Sequence, residues 1–508
     1  MKILISGGGL SGLTLAYWLH EYGHTPVIVE RADGLRRDGY GIDFFGSGYD
    51  VAERMGLINT LKAQQIRVKA VSYVNQDGSQ AAKLDIDLMR KIMDGRYMPL
   101  MHRTLEETLY HAIVDNVDVR FGRSLSEVTQ TADAVIATFD DGSSESFDLL
   151  IGADGIHSNT RELVFGPEKE FTHYLGYYFA CYDIHDRYDI GEAWKNYTEP
   201  GRQVGVYASN QNGEAITLFM WEAPDQGYIP HAERLSLLRS KFDGMGWLTP
   251  QLLNDAPADS IYMDTITQIR MPAWSKGRVA LVGDACGCMT LISGQGASMA
   301  LGGAYILAEA LHQNENYATA FRVYENQVRP EIETRQEKAR DFAKAFVPGS
   351  ELGLQVQKVM MKVLLRDAFK GVLRQQFSGE SVLRRALKRL TESHGNALGY
   401  RLAGELRDVD YRTLGLDIED ALATNEKVNL LLQIDPFNGI DLQAMWDDLK
   451  FGRKYGHVIE KFAVVGEQRW SEWIAKMSHP FYAHQSHHFM PDELPAAWDW
   501  IKNNQIVL

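Results

Sequence analysis

The chain has 508 residues, 45% of them hydrophobic and 23% charged, enough to bury large cores in roughly two to four domains. Its formal net charge of −15 argues against nucleic-acid binding, which needs a basic face for the phosphate backbone. Three cysteines, Cys181, Cys286 and Cys288, cannot build a disulfide framework, and the N-terminus enters an apolar strand without a signal leader, so a cytoplasmic protein is expected.

Residues 2–6 (KILIS) form a short apolar run fit for a buried strand, followed at once by Gly7-Gly8-Gly9-Leu10-Ser11-Gly12. A helical pattern through Leu13, Ala16 and Leu19 turns at Gly23, and a second apolar run over 26–29 ends in Glu30. Strand, glycine turn, helix, strand and acid stand in the order a dinucleotide-binding unit requires. There Gly7 permits the tight turn, Gly9 lets a pyrophosphate approach the backbone, and Gly12 lets the helix pack on the strand. Free N–H groups and the positive helix end then face the phosphates. Glu30 stands where a carboxylate accepts both adenosine ribose hydroxyls. This turn alone does not distinguish NAD from FAD.

A basic turn over 31–37 precedes Gly39-Tyr40-Gly41-Ile42-Asp43-Phe44, and residues 50–62 read as one amphipathic helix carrying Met55 and Leu57. Residues 68–84 alternate around Asp77-Gly78, a hairpin signal. Arg103 opens a helix with Leu105, Leu109 and Ile113 inward; residues 117–125 and 134–139 read as strands, and 149–155 (LLIGADG) as a buried strand ending in Asp154-Gly155. From 174 to 267 strands rich in Tyr and Phe (177–183, 203–208, 215–222) surround one helix over 231–242. This predicts a separate antiparallel sheet broad enough to roof a pocket. An apolar strand returns at 278–283 (RVALVG), capped by Asp284. The uncharged stretch 285–308 has the length of a membrane span, but its five glycines and Gln295 predict a buried loop and helix instead.

Helical patterns dominate from 302 to about 390. Within 358–389 nine Lys and Arg stand against Asp367 and Glu380, and Lys358, Lys362, Arg366, Lys370 and Arg374 form one stripe beside Met361, Leu365, Ala368 and Val372. A solvated basic face is the preferred reading, with peripheral contact to a membrane surface or a partner as the alternative. Beyond 390, strands (398–402, 427–434, 460–466, 482–489) alternate with helices (408–423, 442–451, 469–477, 491–502), a second, small α/β domain. His484, His487 and His488 read as strand-face residues, and no metal is expected.

By Asp284 three separated motifs are in place: Gly7–Gly12 with Glu30, Ala153-Asp154-Gly155, and Gly283-Asp284-Ala285 with Gly294-Gln295-Gly296. Together they resemble the single-component FAD-dependent aromatic hydroxylases of the p-hydroxybenzoate hydroxylase type, over about residues 1–348. The run 39–57 and the Ala-rich helix after Gly296 look most like the branch containing the tetracycline-inactivating monooxygenases. The resemblance implies an α/β protein: a Rossmann-type FAD-binding domain (1–173 and 268–348, with the 68–97 hairpin on the substrate side), an inserted antiparallel substrate sheet (174–267) and a helical connector (349–390). It implies that Gly7, Gly9, Leu10, Ser11 and Gly12 hold the pyrophosphate and that Glu30, beside Arg31, binds the adenosine ribose. Leu125 would lie against the adenine through its backbone, and Arg103 would reach the flavin side. Asp154-Gly155 would sit under the phosphates, and Asp284, after Gly283, would accept hydrogen bonds from the ribityl and pyrophosphate region. The turn Gly294-Gln295-Gly296-Ala297 would offer N–H groups to the flavin N1–C2=O edge, where negative charge collects on reduction.

The same resemblance implies NAD(P)H as reductant, a flavin C4a-hydroperoxide, and oxygen transfer to a bound aromatic or polycyclic small molecule. Family members carry a His and two Pro after the Gly-Asp; here Gly287, Thr290 and Leu291 stand instead, so a less rigid loop with no ring beside the flavin is expected. No general base identifies itself: His185 and His231 read as surface histidines. Val428, Phe437-Asn438-Gly439, Trp446-Asp447-Asp448 and Phe462-Ala463-Val464-Val465-Gly466 resemble the SpoIIAA-like (STAS-type) proteins over 391–508. That family has no defined catalysis, which implies a binding module for an apolar ligand or a protein partner. Against a monooxygenase stand a dehydrogenase or halogenase on the same scaffold, and a flavin-binding redox sensor acting through the C-terminal module.

Overall fold

The computed structural model describes all residues except 36–38, 94, 210–212, 291–292, 365–380, 384–386, 391, 403–407, 435–453, 467–483 and 503–508. The chain divides into two compact units, Met1–Tyr324 with Glu331–Leu383, and Glu325–Pro330 with Arg384–Leu508.

The first unit is organised around a six-stranded sheet in the order Ser275–Lys276, Val279–Leu281, Leu149–Gly152, Lys2–Ser6, Thr25–Glu30, Asp118–Phe121. All neighbours are parallel except the outermost Ser275–Lys276. Ile3, Leu4 and Ile5 are fully buried, each side chain contributing about 1.5–3 kcal/mol by leaving water. Helix Leu10–Glu21 starts from Gly9 in an extended conformation and stops before Gly23, which takes φ +80°. Because Ser6, Gly152 and Leu281 end three adjacent parallel strands, the turns that follow them emerge side by side at the carboxyl edge.

A seven-stranded sheet runs Tyr262–Ile269, Thr172–His185, Glu214–Glu222, Arg202–Ala208, Ala193–Glu199, Ala70–Val74, Gln80–Asp85. The hairpin around Asp77-Gly78 therefore joins this sheet, through a parallel pairing of Ala70–Val74 with Ala193–Glu199. Helices His231–Phe242 and Thr249–Asn254 cover one face, burying Leu238, Phe242 and Leu252 against Tyr182, Phe219 and Trp221. The other face carries Tyr177, Phe179, Met220 and Ile266. A two-stranded ribbon, Gly41–Phe45 with Tyr97–Met101, packs Phe45 and Tyr97 against Tyr207 and Ile216 of that sheet.

Three local expectations need correction. Residues 50–62 form two helices, Gly46–Arg54 and Ile58–Ala63, because Gly56 at φ +73° ends the first. Residues 117–125 split into Asp118–Phe121 and the start of Leu125–Gln130, turning at Gly122 with φ +65°. The helical stretch holds Gly296–Gln313, Tyr317–Phe346 and Glu351–Leu364, but Leu387–Arg389 is a strand. Most of the basic stripe, and the helices expected over 442–451 and 469–477, lie outside the described residues. Among the described residues no helix is long and apolar enough to cross a membrane.

The second unit is a five-stranded sheet ordered Leu387–Arg389, Ala397–Leu402, Val428–Ile434, Ile459–Val465, Gln485–Phe489, parallel apart from its first pair. Its pleat sends Leu398, Tyr400, Leu430 and Leu432 to the side of helix Asp408–Leu422, where Ile418 is buried, and Ala397, Leu431 and Ala463 to that of Leu494–Lys502, where Trp498 is buried. Gly399 is needed there, since a Cβ would meet the Trp498 ring.

Candidate functional site

The three turns at the carboxyl edge interlock, and their glycines fall into two groups. Gly7 takes φ +113°, and a Cβ on it would lie 2.6 Å from the Ala153 carbonyl carbon and 2.8 Å from Asp154 Cα. A Cβ on Gly12 would overlap the Gly7 carbonyl oxygen, and one on Gly283 (φ +66°) would overlap Ser11 Oγ. Gly7 and Gly283 are glycine where the first turn is pressed against the second and the third, and Gly12 where the helix start is pressed against the first turn itself and Ile5. Gly9, Gly155 and Gly296, one in each turn, differ: a Cβ on any of them meets nothing within 4 Å. The first turn thus closes on the second at Gly7 and the third closes on the first at Gly283, while each of the three turns presents one glycine to open space.

Leu10 and Ser11 are buried at the start of helix Leu10–Glu21, whose N-cap Gly9 supplies no side-chain cap to the first N–H groups. Glu30 accepts from Gly8 N at 2.8 Å through Oε2 and from Ala32 N at 2.9 Å through Oε1. Each oxygen keeps a second lone pair for a hydroxyl donor. Arg31 beside it is exposed. Asp154 spends its carboxylate on its own turn: Oδ2 accepts from Thr160 N and Oγ1 at 2.7 Å, and Oδ1 from Ser158 Oγ. Asp284, half-buried, opens the short helix Asp284–Gly287.

Two expected residues sit apart from the turns. Leu125 is buried, with its carbonyl accepting from Asn159 Nδ2 at 2.7 Å. Arg103 is buried under Gly39 and faces the seven-stranded sheet, with Nη1 at 3.4 Å from Asp183 and Nη2 at 3.9 Å from Glu214. The turn Gly294-Gln295-Gly296-Ala297 is braced by Arg335, whose Nε donates to Gln295 Oε1 at 2.6 Å and whose Nη1 donates to Glu331 Oε2 at 2.6 Å.

A family model described as an FAD binding domain matches residues 1–330. A flavin-dependent monooxygenase from an unidentified prokaryote is 32% identical over 341 residues, covering 66% of this chain and 87% of that one. The chain belongs to the FAD-binding flavin-dependent monooxygenases. An uncharacterized protein of Mycobacterium tuberculosis is 36% identical over 341 residues, covering 66% of this chain and 91% of that one. Tetracycline destructase Tet(51) superimposes with a TM-score of 0.63 at 29% identity, covering 73% of this chain and 97% of that structure. A SpoIIAA-like model matches residues 397–502, so this monooxygenase carries a second domain of that kind.

Within the monooxygenase site, the departures after Gly283-Asp284 have physical reasons. A Cβ on Gly287 would sit 2.9 Å from Ile332 Cδ1 and 3.3 Å from Trp274, so a histidine has no room there. Thr290 takes φ +107°, which a proline ring, held near about −65°, cannot adopt. The loop therefore follows a different path, and Thr290 keeps a buried hydroxyl with no hydrogen-bond partner among the described residues. Leu291 lies outside the described residues.

Sequence reasoning passed over three groups. Arg161, fully buried, joins the second turn to the third by donating to Ile156 O at 2.6 Å and Ala285 O at 3.0 Å. An arginine seven residues past Asp154 was the available signal. His157, half-exposed, lies between Asp264 (3.4 Å) and Glu168 (2.9 Å), and these carboxylates push it up to about 10. Asp43, a lone acid in the apolar run GIDFF, lies beside Gly294.

The His157 cluster makes stability fall with alkali. Its folded pKa lies above the ordinary value near ~6.5, so its contribution is complete below that pH and is lost as pH rises through about 10. Solvent screening holds the effect to about 1 kcal/mol. Melting temperature should drop between neutral pH and the upper end of that window, and a His157→Gln protein should show a shallower drop; parallel curves would contradict the assignment.

Proposed function

We propose that this flavoprotein takes electrons from NAD(P)H and transfers one oxygen atom from O2 to an aromatic or electron-rich polycyclic small molecule. The observation that supports this most is the aromatic face of the seven-stranded sheet against Tyr40 and Gly41. Tyr40 packs edge-on to Phe179 at 6.5 Å, Phe179 contacts Tyr262 at 5.6 Å, and the Tyr207 hydroxyl accepts from Gly41 N. Tyr207 is itself packed on Trp194 at 4.7 Å. Phe179 and Tyr207 are buried, so the partly exposed Tyr40 and Tyr262 are the rings left to offer an aromatic substrate stacking or edge contacts of about 0.5–1.5 kcal/mol each.

FAD, when bound, supplies the electron storage and oxygen activation. The chain does the rest. Gly9, Leu10, Ser11 and Gly155 would cradle the pyrophosphate, Glu30 would take the ribose, and Asp284 the ribityl side. The N–H groups of the Gly294–Ala297 turn, held by Arg335 through Gln295, would meet the flavin edge that gains charge. Leu125 would border the adenine, and Arg103, beside Asp183 and Glu214, would reach toward the flavin side. The aromatic sheet excludes water from the reacting ring. The C-terminal unit serves as a binding module, a reading that rests on its SpoIIAA-like match.

FAD-loaded protein should oxidise NADPH or NADH slowly alone and faster with the right aromatic compound, the product gaining one labelled oxygen from isotopic O2. Tet(51) is named for tetracycline, so a tetracycline heads the panel. Recovery of all consumed O2 as hydrogen peroxide with every compound would overturn the oxygen-transfer reading.

A further inference from the structure

Helix Tyr317–Phe346 turns one face, Ile332, Arg335 and Gln336, to the loop that follows Asp284, and the spacing i, i+3, i+4 puts these three side chains next to one another. Ile332 fills the space at Gly287, where an added Cβ would lie 2.9 Å from its Cδ1. Gln336, buried, donates through Nε2 to Cys288 O and Ile269 O, both at 2.8 Å, and its backbone carbonyl accepts from Gln268 Nε2 at 2.7 Å. Arg335 takes the far end of the loop. Its Nε donates to Gln295 Oε1 at 2.6 Å, while Nη1 donates to Glu331 Oε2 at 2.6 Å and to Glu331 O at 3.0 Å. A loop that lacks the family's His and Pro is thus clamped at both ends from one helix.

Gln295 is the N-cap residue of helix Gly296–Gln313, yet its side chain caps nothing. Because Arg335 holds Oε1, the N–H groups that open this helix receive no side-chain partner from the cap. The same contact sets a guanidinium, its side chain only 10% exposed, against the turn. We propose that Arg335 is a positioning residue that sets the reduction potential of the flavin. It keeps the Gln295 side chain off the helix start and backs the flavin edge with a positive charge, which Glu331 partly offsets. Negative charge collects at that edge on reduction, so a nearby cation favours the reduced form and a nearby anion opposes it. The Glu331–Arg335 pair therefore trims the potential from both directions. Gln336 acts on the same loop through neutral hydrogen bonds, so it supports FAD binding without discriminating between redox states.

This inference rests on the placement of the flavin edge at the Gly294–Ala297 turn, and its test needs neither substrate nor O2. FAD-loaded wild type, Arg335→Met, Arg335→Lys, Glu331→Gln and Gln336→Met proteins are reduced anaerobically against a reference dye, and the affinity for oxidised FAD is measured alongside. Relative to oxidised FAD, Arg335→Met should bind reduced FAD about tenfold less tightly than wild type does, a potential lower by about 30 mV for a two-electron couple. Glu331→Gln, similar in shape but neutral, should move the potential upward. Arg335→Lys should lie nearer wild type than Arg335→Met, because the charge remains. Gln336→Met should weaken both redox forms alike and leave the potential in place. An unmoved potential in Arg335→Met or Glu331→Gln, shifts of both in one direction, or a Gln336→Met shift as large as that of Arg335→Met would overturn it. If Arg335→Met retains no FAD, Glu331→Gln decides alone. Gly296→Val fills the open space at the helix start and tests the placement itself. Wild-type FAD affinity in that protein would remove the flavin from this turn and the inference with it, whereas weakened FAD there with an unmoved Arg335→Met potential would sink the Arg335 role alone.

Discussion

A Gly9→Val protein should fold as well as wild type and purify colourless. Gly9 has φ −81° and ψ −169°, extended backbone that valine adopts without strain, and a Cβ there meets nothing within 4 Å. The FAD-free form should melt where wild-type FAD-free protein does, or slightly higher, since replacing glycine at a compatible position stabilises by up to about 1 kcal/mol through the unfolded chain. The open space it fills is where a pyrophosphate would meet the N–H groups of the helix start, so the cost falls on the cofactor. Gly12→Ala reverses the pattern. Its one added carbon overlaps the Gly7 carbonyl and comes within 3.3 Å of Ile5 Cγ2, forcing the helix off the strand at about 1–3 kcal/mol or more. Both comparisons are made on FAD-free protein, because bound FAD adds stability by mass action. Flavin colour retained by Gly9→Val after gel filtration would refute the cradle; FAD-free Gly12→Ala melting with wild type would refute the close packing of the helix on the first turn and strand.

What could be read ahead of the structure was whatever repeats or is forced locally. Helix His231–Phe242 has the ends its apolar spacing indicated, and strand Lys2–Ser6 with its glycine turn follows from an apolar run and residues permissive at positive φ. Strand Ala193–Glu199 escaped, because AWKNYTE alternates weakly and its parallel partner Ala70–Val74 lies far away in sequence. Gly56 and Gly122 were in plain view, but a glycine inside a periodic run is tolerated often enough that the break shows only in the backbone.

The candidate site divides the same way. Glycine spacing identifies backbone that must come close, so Gly7, Gly9, Gly12 and Gly283 were visible. It does not tell which glycine is pressed by protein and which is left for a ligand; that needs the neighbouring turn in place. Side chains acting across the fold were invisible for a related reason. Asp43 meets Tyr97 only when residues 41–45 pair with 97–101, and the loop without the family's His and Pro became explicable only through Ile332, Trp274 and the φ of Thr290.

Arg161 gives the largest stability effect expected of a single side chain here. Its guanidinium is fully buried and fans out to three acceptors: Ile156 O at 2.6 Å, Glu168 Oε2 at 2.8 Å and Ala285 O at 3.0 Å. Burial works to lower its pKa, and the nearby Glu168 and Asp154 carboxylates oppose that. Arg161→Met fills similar volume but leaves two carbonyls without a donor and removes a partner from Glu168, which also holds His157. Each buried carbonyl left without its donor costs about 1–3 kcal/mol, against about 1 kcal/mol for an ordinary neutral hydrogen bond. Arg161→Lys should recover little, because one ammonium on a flexible stem cannot reach three acceptors fixed in different directions. Denaturant midpoints of the FAD-free proteins measure the loss. FAD affinity should fall with it, since the second and third turns are joined through Ile156 and Ala285. If Arg161→Met and Arg161→Lys both unfold within about 1 kcal/mol of wild type and bind FAD equally well, Arg161 is not what holds those turns together.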